Sequence, residues 1–177
     1  MMLRPRGARA GRLRMAVPKG ALWADTISVL CQAGIDIGPL RESGRQLVVA
    51  TDEMEFVIAK PTDIPAYVAY GAVDVAVAGK DVLIEAGLDV VEMVDLGFGA
   101  CRFVVAEPED GAAAVAEHYR HLGVIRVATK YPRITEQHYS AKGVQVELIK
   151  LPGNIEIAPL IGLADQVVDI TATGTTL

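Results

Sequence analysis

The chain has 177 residues, of which 51% are hydrophobic, and its formal net charge is −5 at pH 7. This length fits one domain or two small ones, and this hydrophobic content supports a sizeable core and excludes wholesale disorder. The acidic balance argues against a general nucleic-acid binder, so a phosphorylated ligand would need locally placed lysines and arginines. No apolar run reaches the roughly 18 residues of a membrane span.

The first twelve residues are basic and contain no acid. They lack the apolar segment of a secretory signal, so the sequence does not indicate export by that route. We interpret residues 1–12 as a disordered basic tail, with a transit peptide or a misplaced start codon as the alternatives.

The cysteines and histidines show no metal-ligand spacing. We expect Cys31 and Cys101 to be reduced and buried, as in a cytoplasmic protein. His118 and His121 share one face near the end of a predicted helix, where contact with solvent or with the helix dipole is the common explanation.

Short apolar runs alternate with segments of helical periodicity along the whole chain. The runs predict strands over residues 13–17, 46–50, 55–59, 73–78, 101–106, 124–129, 144–151 and 166–170. The periodic segments predict helices over residues 22–33, 64–70, 80–85, 112–122, 132–142 and 153–163. Thr62 or Asp63 could cap the second helix, and Asp81 the third. This alternation is typical of an α/β fold with mostly parallel sheets, and no internal repeat is apparent.

Lysines follow three of the predicted strands. Lys19 comes after the first strand, Lys60 after the third, and Lys80 after the fourth, between Gly79 and Asp81. Ligands of open α/β sheets collect at the carboxyl ends of the strands, so these lysines indicate one cleft for an anionic ligand. A solvated loop is the alternative for Lys19, and helix capping is a sufficient explanation for Asp81.

The last predicted strand contains Asp169 and runs into a cluster of threonines around Gly174. A strand that leads into a turn of small residues can aim successive backbone N–H groups at one anion, and Gly174 can take a positive φ. Threonine hydroxyls add donors for phosphate oxygens, and Asp169 could accept hydrogen bonds from a sugar diol or hold a hydrated magnesium ion. The pattern predicts a site for a ribose that carries a 5′-phosphate, with an ordinary threonine-rich turn as the alternative.

Six longer motifs occur in order along the chain: VPKGAL, KPTDIPAYVAYGAVDVAVAGKDVLIE, DLGFGACRFVVAEP, VATKYPRIT, LPGNIEIAPLIGLADQVVDI and TATGTTL. In this order and spacing they resemble the ATP phosphoribosyltransferases, and from Leu13 to the end the chain is similar to the short-form catalytic subunit of that family. The resemblance implies the first step of histidine biosynthesis. In that step the phosphoribosyl group of phosphoribosyl pyrophosphate (PRPP) passes to an adenine ring nitrogen of ATP, and pyrophosphate is released. Such an enzyme is a glycosyltransferase of the pentosyl class that works with Mg²⁺ in the cytoplasm.

The resemblance also implies an architecture and partners. Two α/β lobes, like those of type II periplasmic binding proteins, would span residues 13–96 and 97–177, with the active site in the cleft. Relatives continue past the threonine cluster with a strand and a helix that return to the first lobe, and this sequence does not contain that piece. A homodimer of catalytic chains and a regulatory subunit related to histidyl-tRNA synthetase are expected, whereas a nucleic acid or membrane partner is not.

Family positions map onto particular residues of this sequence. Those that would bind PRPP are Asp169, Thr171, Ala172, Thr173, Gly174, Thr175, Thr176 and Leu177. Those that would bind ATP are Lys19, Gly20, Arg45, Gly79, Lys80 and Asp81. Lys19 and Asp169 would also act in catalysis, and Glu156 could be a general base, although helix capping explains it equally well. The substrate phosphates would carry the magnesium, with no certain protein ligand.

The motifs depart from the family pattern at two positions. Ala21 stands where the family usually has an arginine after PKG, which removes one possible phosphate ligand. Asn154 stands where a small residue is common. Two other functions compete with the transferase: a truncated, non-catalytic two-lobed protein that binds a small molecule, and a nucleobase-salvage phosphoribosyltransferase. The salvage enzymes usually carry two adjacent acids before the threonine turn, whereas Asp165 and Asp169 are separated here.

Overall fold

The structure, a computed structural model, describes residues 12–109 and 111–172. The chain divides into two compact units, Met1–Gly99 (unit 1) and Ala100–Leu177 (unit 2). A four-stranded sheet lies in each unit. Among the described residues, no helix is long and apolar enough to cross a membrane.

Unit 1 alternates strands with helices that cover its sheet. Its strands are β1 (Leu13–Pro18), β2 (Val48–Ala50), β3 (Met54–Ala59) and β4 (Val75–Ala76). Its helices are α1 (Trp23–Gln32), α2 (Gly38–Arg41), α3 (Ile64–Ala69) and α4 (Lys80–Ala86), and 3₁₀ turns precede α1 and α3 at Gly20–Leu22 and Pro61–Asp63. The strand order is β2-β3-β1-β4, in which β1 runs parallel to β3 and β4 while β2 runs antiparallel to β3.

The central strand β1 is buried on both faces, because helices cover both sides of a mostly parallel sheet. Its alternate side chains therefore enter different cores. Val17 packs in one core with Phe56 of β3 and Leu30 of α1. Ala16 packs in the other core with Ile64 of α3.

Unit 2 also alternates strands with helices. Its strands are β5 (Arg102–Ala106), β6 (Ile125–Thr129), β7 (Val146–Lys150) and β8 (Gln166–Thr171). Its helices are α5 (Ala112–Leu122), α6 (Pro132–Ala141) and α7 (Ile157–Leu160). The strand order is β5-β8-β6-β7, in which β6 runs parallel to β7 and β8 while β5 runs antiparallel to β8. The α/β fold with mostly parallel sheets is confirmed.

The two units share a central pattern that the sequence analysis missed. Each has three parallel strands, in the order β3-β1-β4 or β7-β6-β8. The middle strand reads LRMAVP in unit 1 and IRVAT in unit 2, with an arginine at the second position of both. The antiparallel strand is added at opposite edges of this common core. The two units therefore share an arrangement of strands although no internal repeat is apparent in the sequence.

Most predicted elements are present, and a few differ in length. The predicted strand 73–78 is reduced to the two residues of β4, and the predicted helix 153–163 to the four residues of α7. Pro159 within that helix donates no backbone hydrogen bond, and Gly162 ends the segment with φ of +71°. The four-residue helix α2 was not predicted.

The expectation that both cysteines are buried is also wrong. Cys31 and Cys101 are exposed. In α1 the buried positions are Thr26, Ile27 and Leu30, and Cys31 comes after them on the solvent side. Asp63 occupies the N-cap position of α3, but its side chain makes no capping hydrogen bond.

The cap of α3 is missing because the chain enters the helix directly from a 3₁₀ turn, and the Thr62 hydroxyl donates to Asp63 Oδ1 at 3.3 Å instead. Asp81 is the second residue of α4, and Gly79 is its N-cap.

Candidate active site

The carboxyl edge of the unit 1 sheet brings two lysines together. Pro18 of β1 and Ala59 of β3 are paired in the parallel register, so Lys19 and Lys60 leave adjacent strands at the same level. The Lys19 backbone N–H donates to the Ala59 carbonyl oxygen at 2.8 Å, which fixes the start of the loop. Both lysine side chains are exposed.

The next strand along adds the turn that begins α4. Because β4 lies on the other side of β1, Gly79 and Lys80 follow a strand that ends at this same edge. The Lys80 ammonium is paired with the Glu92 carboxylate. A Cβ atom on Gly79 would lie 2.2 Å from Asp81 Oδ1, so glycine leaves room for that carboxylate to fold back over the turn.

Arg45 reaches this edge from the antiparallel strand. The Ile58 backbone N–H donates to the Leu47 carbonyl oxygen at 2.8 Å, so the start of β2 lies beside the end of β3. The exposed Arg45 is two residues before Leu47. The edge therefore carries four cations in strand order, Arg45, Lys60, Lys19 and Lys80.

Gly20 has φ of +83° at the turn between β1 and α1, a left-handed conformation that favours glycine. A Cβ atom there would meet nothing within 4 Å, so the backbone conformation rather than crowding requires the glycine. The structure thus places Lys19, Gly20, Arg45, Gly79, Lys80 and Asp81 at one edge of unit 1.

Unit 2 has a carboxylate at the corresponding edge. Asp169 of β8 lies next to β6, and its Oδ2 accepts a hydrogen bond from Lys130 Nζ at 3.1 Å. Asp169 Oδ1 accepts the backbone N–H of Ile170 at 2.8 Å. The Asp169 side chain is 17% exposed and that of Lys130 is 38% exposed, so the pair is open to solvent on the lysine side.

A buried threonine pair holds the loop that carries Lys130. Thr129, at the end of β6, donates from Oγ1 to the Val168 carbonyl oxygen at 2.8 Å and accepts the Tyr131 backbone N–H at 2.9 Å. Thr135 Oγ1 lies 3.2 Å from Thr129 Oγ1 and donates to the Tyr131 carbonyl oxygen at 2.7 Å. The backbone on both sides of Lys130 is therefore fixed.

The predicted phosphate loop is described only at its start. Thr171 ends β8, is buried, and pairs with Arg102 of β5, and the exposed Ala172 follows it. The remaining predicted residues of the loop, Thr173, Gly174, Thr175, Thr176 and Leu177, lie outside the described residues.

Glu156 is not explained by helix capping. It occupies the N-cap position of α7, but its side chain makes no capping hydrogen bond and is exposed.

A second polar cluster lies at the opposite, amino edge of unit 2. Asp165 Oδ2 accepts the Arg126 backbone N–H at 2.8 Å, and its Oδ1 contacts Arg126 Nη2 at 3.0 Å and His118 Nδ1 at 2.8 Å. Burial alone would raise the pKa of Asp165, but the hydrogen bonds from Arg126 and His118 outweigh it and lower that pKa below its usual value. The hydrogen bond to Asp165 raises the pKa of Arg126, against the opposite effect of burial. This cluster clamps the start of β8 to β6.

Sequence reasoning missed both Lys130 and this clamp. The signal for Lys130 was present, because it follows a strand directly, as Lys19 and Lys60 do. The partner of Lys130 is 39 residues away along the chain, so the pairing could be found only from the strand register. Among the residues that the structure describes, no group of three or more His, Cys, Asp or Glu side chains could hold a metal ion.

Comparisons with known proteins identify the family of the chain. The family model HisG, described as ATP phosphoribosyltransferase, matches residues 60–177. An ATP phosphoribosyltransferase of Rubrobacter xylanophilus is 48% identical over 165 residues, which cover 93% of this chain and 76% of the relative. One of Moorella thermoacetica is 47% identical over 169 residues, which cover 93% of this chain and 74% of the relative.

A solved structure, the ATP phosphoribosyl transferase (HisG:HisZ) complex from Thermotoga maritima, contains a chain that matches with a TM-score of 0.76 and 30% identity. The match covers 93% of this chain and 77% of that one. The chain therefore belongs to the ATP phosphoribosyltransferase family, the pentosyltransferases of the first step of histidine biosynthesis.

Proposed function

We propose that this chain performs the reaction of its family with two sets of residues, one in each unit. Unit 2 would bind PRPP through Asp169 and the segment that follows it, and unit 1 would bind ATP through the cations at its carboxyl edge. The observation that supports this most is the Asp169 carboxylate, which lies near the end of a parallel strand, directly before a Thr/Gly sequence. Carboxylates in such positions suit ribose hydroxyls, and turns of small residues suit phosphates.

The PRPP site would divide between sugar and phosphate. Each oxygen of Asp169 already accepts one hydrogen bond and keeps acceptor capacity for the ribose hydroxyls. Backbone N–H groups and hydroxyls of residues 171–177 would bind the 5′-phosphate.

The ATP site would use the cationic edge of unit 1. Lys19, Arg45 and Lys80 would neutralise phosphate oxygens, the Gly20 and Gly79 turns would let backbone approach closely, and Asp81 would accept a hydrogen bond from the nucleoside. Lys60, which the structure places beside Lys19, joins this set. These exposed cations would neutralise the phosphates of ATP by charge-assisted hydrogen bonds.

The chemistry is a direct displacement. The lone pair of an adenine ring nitrogen forms a bond to the anomeric carbon of PRPP, the bond from that carbon to the diphosphate oxygen breaks, and its electron pair leaves with pyrophosphate. Positive charge develops on the ribose meanwhile, so the residues must orient two anions and stabilise the leaving group. Glu156, exposed and without a capping role, is the proposed acceptor of the proton that the adenine loses.

Magnesium fits this site as an ion carried by the substrate phosphates. Phosphate oxygens and water are the ligands that Mg²⁺ prefers, so the ion would need no dedicated protein ligand. The ion would supply charge neutralisation for the diphosphate.

We also propose the assembly and the compartment. The matching Thermotoga maritima chain comes from a HisG:HisZ complex, which supports a regulatory partner of the HisZ kind, related to histidyl-tRNA synthetase, for this chain. A homodimer of catalytic chains in the cytoplasm completes the proposal. Size-exclusion chromatography at micromolar concentration, with and without a HisZ protein, tests it; failure to co-elute would contradict the partnership.

The decisive assay for the reaction supplies PRPP and magnesium with either ATP or free nucleobases. Formation of phosphoribosyl-ATP, with no turnover of the bases, is expected. Turnover of a free base without turnover of ATP would instead identify a salvage phosphoribosyltransferase. Binding of both substrates without turnover would favour the non-catalytic binding protein.

A further inference from the structure

We propose that Lys130 is a positioning residue for PRPP, because it holds the Asp169 carboxylate at the carboxyl edge of unit 2. Lys130 is absent from the residues assigned above to either substrate. The inference rests on the proposed role of Asp169, and the structural correspondence between the two units supports it.

The strand before Lys130 is built as the strand before Lys19 is. In unit 1 the Arg14 backbone N–H donates to Asp74 Oδ2 at 2.8 Å, and the Asp74 N–H donates back to the Arg14 carbonyl oxygen at 2.9 Å. In unit 2 the same two bonds join Arg126 and Asp165, both at 2.8 Å. Each clamp aligns the middle strand with the neighbour on the same side of the common core.

The helix after each loop begins in the same way. Thr26 of α1 and Thr135 of α6 are both fully buried. Each donates its hydroxyl at 2.7 Å to the carbonyl oxygen four residues earlier, Leu22 or Tyr131. Since the strand before and the helix after correspond, the loops that carry Lys19 and Lys130 occupy equivalent places in their units.

The two lysines differ in what surrounds them. Among residues 12–109 and 111–172, no carboxylate forms an ion pair with Lys19. Lys130 has Asp169 at 3.1 Å. Lys19 is thus available to bind an anionic ligand, whereas Lys130, at the equivalent place in unit 2, is paired with a carboxylate.

The Asp169 carboxylate is held by a hydrogen bond at each of its two oxygen atoms. Lys130 holds Oδ2, and the Ile170 N–H holds Oδ1. Strand β8 is itself tied to β6 at both ends, because the Arg126–Asp165 and Lys130–Asp169 pairs flank the paired residues 127–129 and 166–168. Without Lys130 the carboxylate would keep only the bond from its own neighbour and would rotate away from the geometry that a ribose diol requires.

The test compares Lys130→Ala with Lys130→Arg, and with Lys142→Ala as the matched control. Lys142 is an exposed lysine at the end of α6 that is assigned to neither substrate. Initial rates give KM for PRPP and for ATP, and calorimetry gives the Kd of PRPP with magnesium. We expect Lys130→Ala to raise both PRPP constants about tenfold, the effect of one charge-assisted hydrogen bond, and to leave KM for ATP unchanged. Lys130→Arg should recover most of the loss, and Lys142→Ala should match the native chain.

A double variant separates positioning from direct contact. If Lys130 acts through Asp169, then Asp169→Asn and Asp169→Asn/Lys130→Ala have the same KM for PRPP. If the increase in KM for PRPP in the double variant equals the product of the two single increases, Lys130 contacts the substrate independently of Asp169. That result would overturn the positioning role. Unchanged PRPP constants in Lys130→Ala, or a change only in its melting temperature, would also overturn it while the proposed reaction stands. A native chain that neither binds PRPP nor makes phosphoribosyl-ATP would overturn both.

Discussion

The carboxyl edges of the two sheets differ in the charged groups that they present. Unit 1 presents four cations in strand order, and only Lys80 among them has a carboxylate partner within the described residues. Unit 2 presents an acid, Asp169, held by a lysine. The same strand and helix framework supports both edges, so the difference lies in a few loop residues. A polyphosphate needs exposed positive charge, whereas a sugar diol needs an oriented acceptor, and the two edges match these two needs.

The largest expected effects test whether each unit has its own hydrophobic core, independent of the other. Phe56 of β3 and Ile155, before α7, are both fully buried. Phe56→Ala should cost about 3–5 kcal/mol and Ile155→Ala about 2–5 kcal/mol, because each leaves a cavity. Hydrogen exchange should show lost protection in unit 1 alone for Phe56→Ala, and in unit 2 alone for Ile155→Ala. Equal loss in both units from either change would contradict the division.

The next largest expected effect is a loss of stability at acidic pH. The pKa of Asp165 is lowered in the folded chain, chiefly by its hydrogen bonds to Arg126. The unfolded chain therefore takes up more protons as pH falls below the ordinary value of about 3.9, and unit 2 should lose stability there. Asp165→Asn should remove this loss and cost about 1–3 kcal/mol at pH 7, because Arg126 and His118 lose a charged partner.

Denaturant unfolding between pH 3 and pH 7 measures both consequences of that change. Glu136→Gln, which removes an exposed carboxylate of α6, is the control and should keep the native acid response. An acid response that persists in Asp165→Asn would show that another group is responsible.

Two single substitutions should separate the edges by substrate. Asp169→Ala should raise KM for PRPP about 10- to 100-fold with little loss of stability, since a charge-assisted hydrogen bond contributes about 1.5–3 kcal/mol. Lys19→Ala should lower kcat/KM for ATP by a similar factor. Steady-state kinetics with each substrate varied in turn measures the contrast, and either variant with native kinetics would remove that residue from the site.

The smallest expected effect sharpens the account of the α4 turn. Gly79→Ala would place a methyl group where the Asp81 carboxylate now lies, and φ of −72° there imposes no backbone strain on alanine. The carboxylate should rotate aside, which should raise KM for ATP about threefold, less than the loss of a full hydrogen bond. Native kinetics for ATP would show that the position of Asp81 is irrelevant to binding.

Local patterns in the sequence predicted most of the fold. The predicted helix 112–122 has the bounds of α5, and the predicted pair 46–50 and 55–59 forms the antiparallel β2–β3 pair. The elements that differ are short: Pro159 and Gly162 limit α7 to four residues, and β4 keeps only two of its six predicted residues. Which edge receives the antiparallel strand depends on pairings distant in sequence, and no local pattern specifies them.

The candidate site was predictable in part. Lysines after strands predicted the edge of unit 1, and family motifs supplied the reaction. The ion pair of Lys130 with Asp169 and the clamp around Asp165 both join residues 39 apart, through the register of β6 and β8. The proximity of such side chains can be predicted only once the strand order is known.

Hydrogen exchange with each substrate alone is the strongest test of the assignment of one substrate to each edge. We expect PRPP with magnesium to protect the backbone around Lys130 and Asp169, and ATP to protect the turns at Gly20 and Gly79. Protection by PRPP at the edge of unit 1, with no change around Asp169, would contradict it.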